Sequence, residues 1–235
     1  MPLPMVHLSV AHGLIEDHGY PDCPDFYLGS IVPDAIHMRP GTNGQDKRTV
    51  HLRGENGLDL DRLRALLGDG DEERSEEARA FLLGYAAHVL TDVLWREETI
   101  LPFRKRFVGH ISYPELRTLY YDECDKLDLD LYDEQPWRPQ VWEALRIAPA
   151  RDVSLAGVRL LSASEVDAWR TRTLGWFDAH REKAAYQPQQ ITRDLVWPFI
   201  PRAAAHVAAT LLNRQGAKSP RPRKRTQSLC QACET

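Results

Sequence analysis

Residues 81–95, Phe-Leu-Leu-Gly-Tyr-Ala-Ala-His-Val-Leu-Thr-Asp-Val-Leu-Trp, decide how this chain folds. The run is apolar on every side except at His88 and Asp92, and a helix that is hydrophobic all round belongs in a core. His88 and Asp92 are four residues apart, so on a helix they stand one above the other on one face. An imidazole and a carboxylate stacked in that way can hold one metal ion or bridge two. The other reading is a helix with one satisfied His–Asp pair, because a buried charge without a partner is costly. Upstream, Ser75 followed by Glu76 and Glu77 has the form of an N-cap with acids in the first turn. The helix is expected to run from there to about Ile100, just before Pro102.

Working outward, the apolar spacing is helical almost everywhere. Residues 4–16 carry Val6, Leu8, Val10, Leu14 and Ile15, and residues 24–38 carry Phe26, Leu28, Ile31 and Ile36 with Pro33 as an interruption. Helices are also predicted over Leu58–Leu67, over 113–132, over Trp137–Ile147, from a Ser164 cap to about Tyr186, and from Pro201 onward. Residues 39–50, with Pro-Gly-Thr-Asn-Gly, read as a loop. No alternating strand signal stands out. The expected fold is all-α, a multi-helix bundle of six to eight helices occupying residues 1–215. The Pro-, Ser-, Lys- and Arg-rich residues 216–235 read as a disordered basic tail.

The net charge is −4, unevenly spread. From Lys218 onward five basic residues face Glu234, a balance of +4 that leaves the rest of the chain near −8. An acidic body argues against a nucleic-acid-binding surface and suits a site that collects cations. No apolar run of the length needed to span a bilayer is evident, so no transmembrane segment is expected. The N-terminus lacks the basic-then-apolar pattern of a signal peptide. Cys23, Cys124, Cys230 and Cys233 do not form a disulfide framework, and the setting expected is cytoplasmic and reducing. Cys230 and Cys233 are a single pair with no second pair to complete a metal site.

The remaining candidate ligands cluster early: His7, His12, His18, Asp34, His37 and His51. Neutral imidazole and carboxylate suit zinc, iron or manganese. The motifs Val-His-Leu at 6–8, Gly-Ser-Ile-Val-Pro-Asp at 29–34, Val-His-Leu at 50–52 and Gly-Tyr-Ala-Ala-His-Val-Leu-Thr-Asp at 84–92 follow one order: His, Asp, His, then His-x-x-x-Asp. In that order they resemble the zinc-dependent phospholipase C family, which has relatives among single-strand nucleases. The resemblance covers about the first 130 residues. It implies an α-helical fold of the phospholipase C type, two or three zinc ions, and phosphoester hydrolysis. Carried over, Asp34, His51 and His88 hold one ion with Asp92, and Asp92 bridges to a second ion held also by His7. Asp34 and Asp92 are then the catalytic carboxylates, and a metal-bound hydroxide attacks phosphorus.

The chain departs from that family in two places. No processed amino terminus is evident to act as a ligand. Where the family's third site has a histidine six residues beyond the bridging carboxylate, this chain has Glu98, and a later His-x-x-x-Glu is missing. The nearest substitutes are Asp122 and Asp125 in the acidic run 121–125. His12 and His37 are further candidates for a metal or for orienting a ligand ring. Lys47 and Arg48, just before His51, are the candidates to meet a substrate phosphate. The expected partner is a small soluble phosphoester. Two other classes fit less of the pattern: a helical-bundle iron oxygenase or oxidase, for which paired Glu-x-x-His motifs are missing, and a non-catalytic metal-binding protein.

Overall fold

The computed structural model describes residues 3–55, 57–68 and 74–215. The tail at 216–235, with Cys230 and Cys233, lies outside them. The all-α expectation holds: helices dominate the described residues, with only short strand pairs between them. At the centre is α5 (Glu76–Trp95), capped as expected by Ser75, whose Oγ accepts from the Ala78 amide. Its second half is buried without interruption from Gly84 to Asp92. The helix does not stop before Pro102. It passes through a π turn (Arg96–Ile100) into α6 (Leu101–Phe107). A proline ring inside a regular α-helix clashes with the carbonyl four residues back, and the wider turn before Pro102 accommodates it.

Around α5 pack α1 (Pro4–His18), α2 (Pro24–Gly29) and α4 (Leu60–Leu67). Next come α7 (Tyr113–Glu134), α8 (Arg138–Ile147) and α9 (Ala163–Ala179), then α10 (Arg193–Gln215), which lies on α1 and α5. A second aromatic cluster joins α7, α8 and α9, where Tyr132 and Phe177 stack at 4.5 Å and Trp142 meets both edge-on.

Several boundaries differ from the sequence expectation. Residues 44–50, expected as loop, form the short helix α3 (Gly44–Val50). Asn43 Oδ1 accepts from the Gln45 and Asp46 amides, and Asp46 returns the bond to the Asn43 amide. This reciprocal cap overrides the turn-forming composition before it. Residues 153–161, where no strand was expected, form a hairpin of β3 (Val153–Leu155) and β4 (Val158–Leu161), following a first short pair, β1 (Arg53–Gly54) and β2 (Gly57–Leu58). Its turn residues Ala156 and Gly157 both have positive φ, the backbone that a two-residue hairpin turn requires. The cap of α9 is Ser162, not Ser164, with Glu165 completing a capping box.

The last helix begins at Arg193 and runs through Pro198 and Pro201, rather than starting at Pro201. Each internal proline costs on the order of 3 kcal/mol. Burial of Val196, Phe199, Ala203, Ala204 and Val207 offsets that cost. Its Arg193–Leu212 stretch is long and apolar enough, by length and composition, to cross a membrane, which corrects the expectation of no such run. In this fold it is partly a core helix: Phe199 meets Trp95 edge-on at 5.1 Å, and Ala204 faces Gly13 of α1.

Candidate metal centre

Four segments deliver five polar side chains to one buried point. His88 and Asp92 come from one face of α5, as their spacing predicts. Their position depends on Gly84, one turn earlier. A Cβ on Gly84 would stand 2.2 Å from the Phe26 carbonyl oxygen of α2, and one on Gly29 would stand 2.1 Å from the Phe81 carbonyl oxygen. The two helices therefore cross backbone to backbone. That contact brings the Ser30 carbonyl to 2.8 Å from His88 Nδ1.

Asp34 and His37 sit on a 3-10 turn (Val32–Met38), where residues three apart eclipse one another. His37 Nε2 is accordingly 3.7 Å from Asp34 Oδ1. His51 is the C-cap of α3, and its Nδ1–H donates at 2.9 Å to the Lys47 carbonyl, which also accepts the His51 backbone N–H at 3.0 Å. His7 lies in the first turns of α1, which has no side-chain cap of its own. The carboxylate of Asp128 on α7 supplies it, accepting from the Met5 amide at 3.0 Å and the Val6 amide at 3.3 Å.

The resulting cluster is tight. His51 Nε2 lies 3.4 Å from Asp34 Oδ1 and 3.6 Å from Asp92 Oδ2. His7 Nε2 lies 3.8 Å from Asp92 Oδ1, and the His7 and His88 rings stack with centroids 3.7 Å apart. The two oxygens of Asp92 thus face two different histidines. Ligand atoms of His7, His88 and Asp92 lie within 4.8 Å of one another, and so do those of Asp34, His51 and His88. All five side chains are buried. Yet His7 Nδ1 and Nε2, Asp34 Oδ1, His51 Nε2, His88 Nε2 and Asp92 Oδ1 have no hydrogen-bond partner. Buried polar atoms are normally satisfied, and each orphan costs about 1–3 kcal/mol.

Orphans from five residues, one ligand atom from each, gather around one buried point and fit a cation as the missing partner. The tautomers support this: Nδ1–H of His51 and of His88 is committed to a carbonyl, which turns the Nε2 lone pair inward, as outer partners of metal-binding histidines do.

The charge states follow from the surroundings. Burial lowers the His7 and His88 imidazoles below their ordinary range, so both are neutral ligands near pH 7. Burial also opposes charge on His51 and Asp34, but their mutual attraction across 3.4 Å and the neighbouring charges prevail. His51 is raised and Asp34 is lowered. Without metal, these surroundings favour the carboxylate and imidazolium forms of the pair. The stabilisation from His51 is complete below its unfolded pKa and is lost as pH rises through its folded value. That from Asp34 is present above its unfolded pKa and is lost as pH falls toward its folded one.

A cation must displace the His51 proton. Zinc affinity is therefore expected to weaken as pH falls through the raised His51 pKa, with about one proton released per chain on binding near neutral pH. Calorimetric titration in two buffers of different ionisation enthalpy measures this. Release of about three protons would contradict the neutral state of His7 and His88.

The other sequence candidates are distributed differently. His37 stands at the edge of the cluster beside Asp34. His12 is away from it, stacked on Trp137 with Nδ1 3.3 Å from the Tyr27 hydroxyl. Glu98 is ion-paired with Arg202 at 2.5 Å in an exposed position. Asp122 and Asp125 both pair with Lys183, at 3.3 and 2.5 Å. Among the described residues, these three acids do not assemble into a third metal group. Arg48 donates to the Gly54 carbonyl and braces the β1–β2 hairpin.

Two residues escaped the sequence reading. Arg53, two positions after His51, donates to Asp92 Oδ2 at 3.0 Å and holds that carboxylate with Oδ1 turned to His7. Asp128 ties down the helix that carries His7. Beside the cluster opens a cleft of ≈ 380 Å³ between α7 and α9, with Asp34 and His37 on its wall.

No protein-family model, no curated protein and no solved structure matches this chain. The family resemblance therefore stands on the quoted motifs alone.

Proposed function

We propose that this chain is a divalent-metal-dependent phosphoester hydrolase, with Zn2+ as the metal and a small phosphoester as substrate. The observation that carries the reading is the convergence of unpartnered donors from His7, Asp34, His51, His88 and Asp92 beside an open cleft. Asp34, His51 and His88 would hold one ion and His7 a second, with the two oxygens of Asp92 facing both groups. Bound ions of this kind supply Lewis acidity, which acidifies water and offsets charge developing on a phosphoryl group.

The chain's own residues do the rest. Ser30 and Lys47 fix the rings of His88 and His51 through their carbonyls. Arg53 fixes Asp92. Burial keeps His7 and His88 neutral. Asp34, on the cleft wall, is the ligand through which the cluster meets whatever enters. The motif order shared with the zinc-dependent phospholipase C family supports the same chemistry.

A screen of chromogenic phosphomonoesters and phosphodiesters, with zinc, manganese and iron supplied separately, tests the proposal. Metal-dependent release of nitrophenol that is lost in the presence of a chelator is the expected result. Turnover of none of the esters with any metal would contradict it.

One observation favours a second reading. Each of the two groups contains two histidines and one aspartate, a set also used by mononuclear iron oxygenases. Oxygen consumption by the iron-loaded chain, with no ester hydrolysis, would select that reading instead.

A further inference from the structure

One face of α9 borders the cleft: Trp169, Arg172, Thr173 and Trp176, at the i, i+3, i+4 and i+7 positions of one helical stripe. In sequence this looks like an ordinary core stripe. In the structure two of its buried polar atoms stand without a partner. Thr173 is 2 % exposed, yet its Oγ1 has no hydrogen-bond partner, not even the Trp169 carbonyl one turn back. The Trp169 indole N–H is also buried without an acceptor. Arg172 makes no ion pair among the described residues. Across the cleft, Arg117 of α7 lies over the Tyr121 ring at 5.5 Å, its guanidinium facing no carboxylate.

The acids of the cleft are already engaged. Asp125 pairs with Lys183, Asp128 holds the α1 amides, and Asp34 belongs to the metal cluster. The groups left without an acidic partner are thus two guanidiniums, an indole N–H and a hydroxyl, all capable of donating. They stand against a wall of aromatic rings. The stripe is continuous with the metal cluster through His37, whose ring centre is 6.0 Å from that of Trp169 and whose Nε2 is 3.7 Å from Asp34. Arg39 fixes this alignment by pairing with Glu165 at the start of α9.

We propose that Trp169, Arg172 and Thr173, with Arg117 opposite, form a subsite for a second anionic group on the substrate, carried on a planar body that stacks on Trp169 and Trp176. The role in turnover rests on the hydrolase reading. The preferred substrate class is then a phosphoester bearing a further carboxylate or phosphate, rather than a neutral or cationic head group. Donors in this arrangement match acceptor oxygens, and guanidinium recognises carboxylate and phosphate alike.

The test is binding of two phosphonates that cannot be hydrolysed, phenylphosphonate and 4-carboxyphenylphosphonate, to the zinc-loaded chain by calorimetry, with tryptophan fluorescence as a second readout. The carboxylated compound is expected to bind about ten-fold tighter and to quench fluorescence. Arg172→Gln is expected to cut that preference to under about two-fold, and Thr173→Val to reduce it in part. Equal affinity for the two compounds overturns the subsite, and so does a full preference retained in an Arg172→Gln, Arg117→Gln double variant. Because binding is read without turnover, the two readings fail separately. A preserved preference in a chain that cleaves no ester removes the hydrolase and leaves the subsite. Ester cleavage with no preference removes the subsite alone.

Discussion

Asp92→Asn is expected to abolish the zinc-dependent rise in thermal stability expected of the parent chain. Asparagine keeps the shape of the side chain but loses the charge that faces both His7 and His51. Removing an outer partner of a metal ligand typically costs about 10–100-fold in affinity. Removing a carboxylate placed between two ion positions is expected to cost more than that for the pair of sites. A bound ion stabilises the folded state by about 4 kcal/mol when its concentration is about a thousand times Kd. For a chain of this size that is on the order of 10 °C in Tm. The parent is expected to gain such a shift with added zinc, and Asp92→Asn to gain almost none. His88→Ala is expected to behave in the same way, because His88 contributes to both ligand groups. Parallel zinc shifts in parent and variants would place the ion elsewhere.

Gly84→Ala is expected to be as damaging as any single added methyl group at the α2–α5 crossing. The new Cβ would stand 2.2 Å from the Phe26 carbonyl oxygen and 2.8 Å from the Ser30 amide. Backbone cannot move aside as a flexible side chain does, so α2 and α5 must separate. Overpacking of this kind costs about 3 kcal/mol, or on the order of 10 °C in Tm for a chain of this length. The same separation carries the Ser30 carbonyl away from His88 Nδ1. Zinc affinity is therefore expected to fall along with stability, although residue 84 touches no ligand atom. A control, Gly175→Ala on α9, meets nothing within 4 Å and is expected to leave both unchanged or slightly improved. Thermal melts of both variants with and without zinc check this.

How far the sequence could be read depended on the range of each interaction. The α5 helix, its Ser75 cap and the shared face of His88 and Asp92 follow from spacing alone, and the structure places them there. The gathering of His7, Asp34 and His51 around that face was legible only through motif order, because no local rule connects residues 7, 34, 51 and 88. His51 carried a local signal that went unread: Asn43 with Asp46 three positions later marks the start of α3, whose end presents the ring. Asp128 and Arg53 were not legible. Asp128 acts on amides 122 and 123 positions away, and Arg53 on a carboxylate 39 positions away.

The acidic run at 121–125 has long-range partners of the same kind. Its Glu123 is fully buried and accepts from the amides of Gln189, Gln190 and Ile191. Asp122 and Asp125 bind Lys183. The run therefore anchors the segment before α10, and Glu98 lies apart from it on Arg202.

The central claim is that the buried cluster is a binuclear metal centre bridged by Asp92. Elemental analysis of the purified chain, followed by zinc titration after chelator treatment, tests it most directly. The account predicts two zinc ions per chain in the parent and a loss of both in Asp92→Asn. A folded chain that binds one ion or none would contradict it.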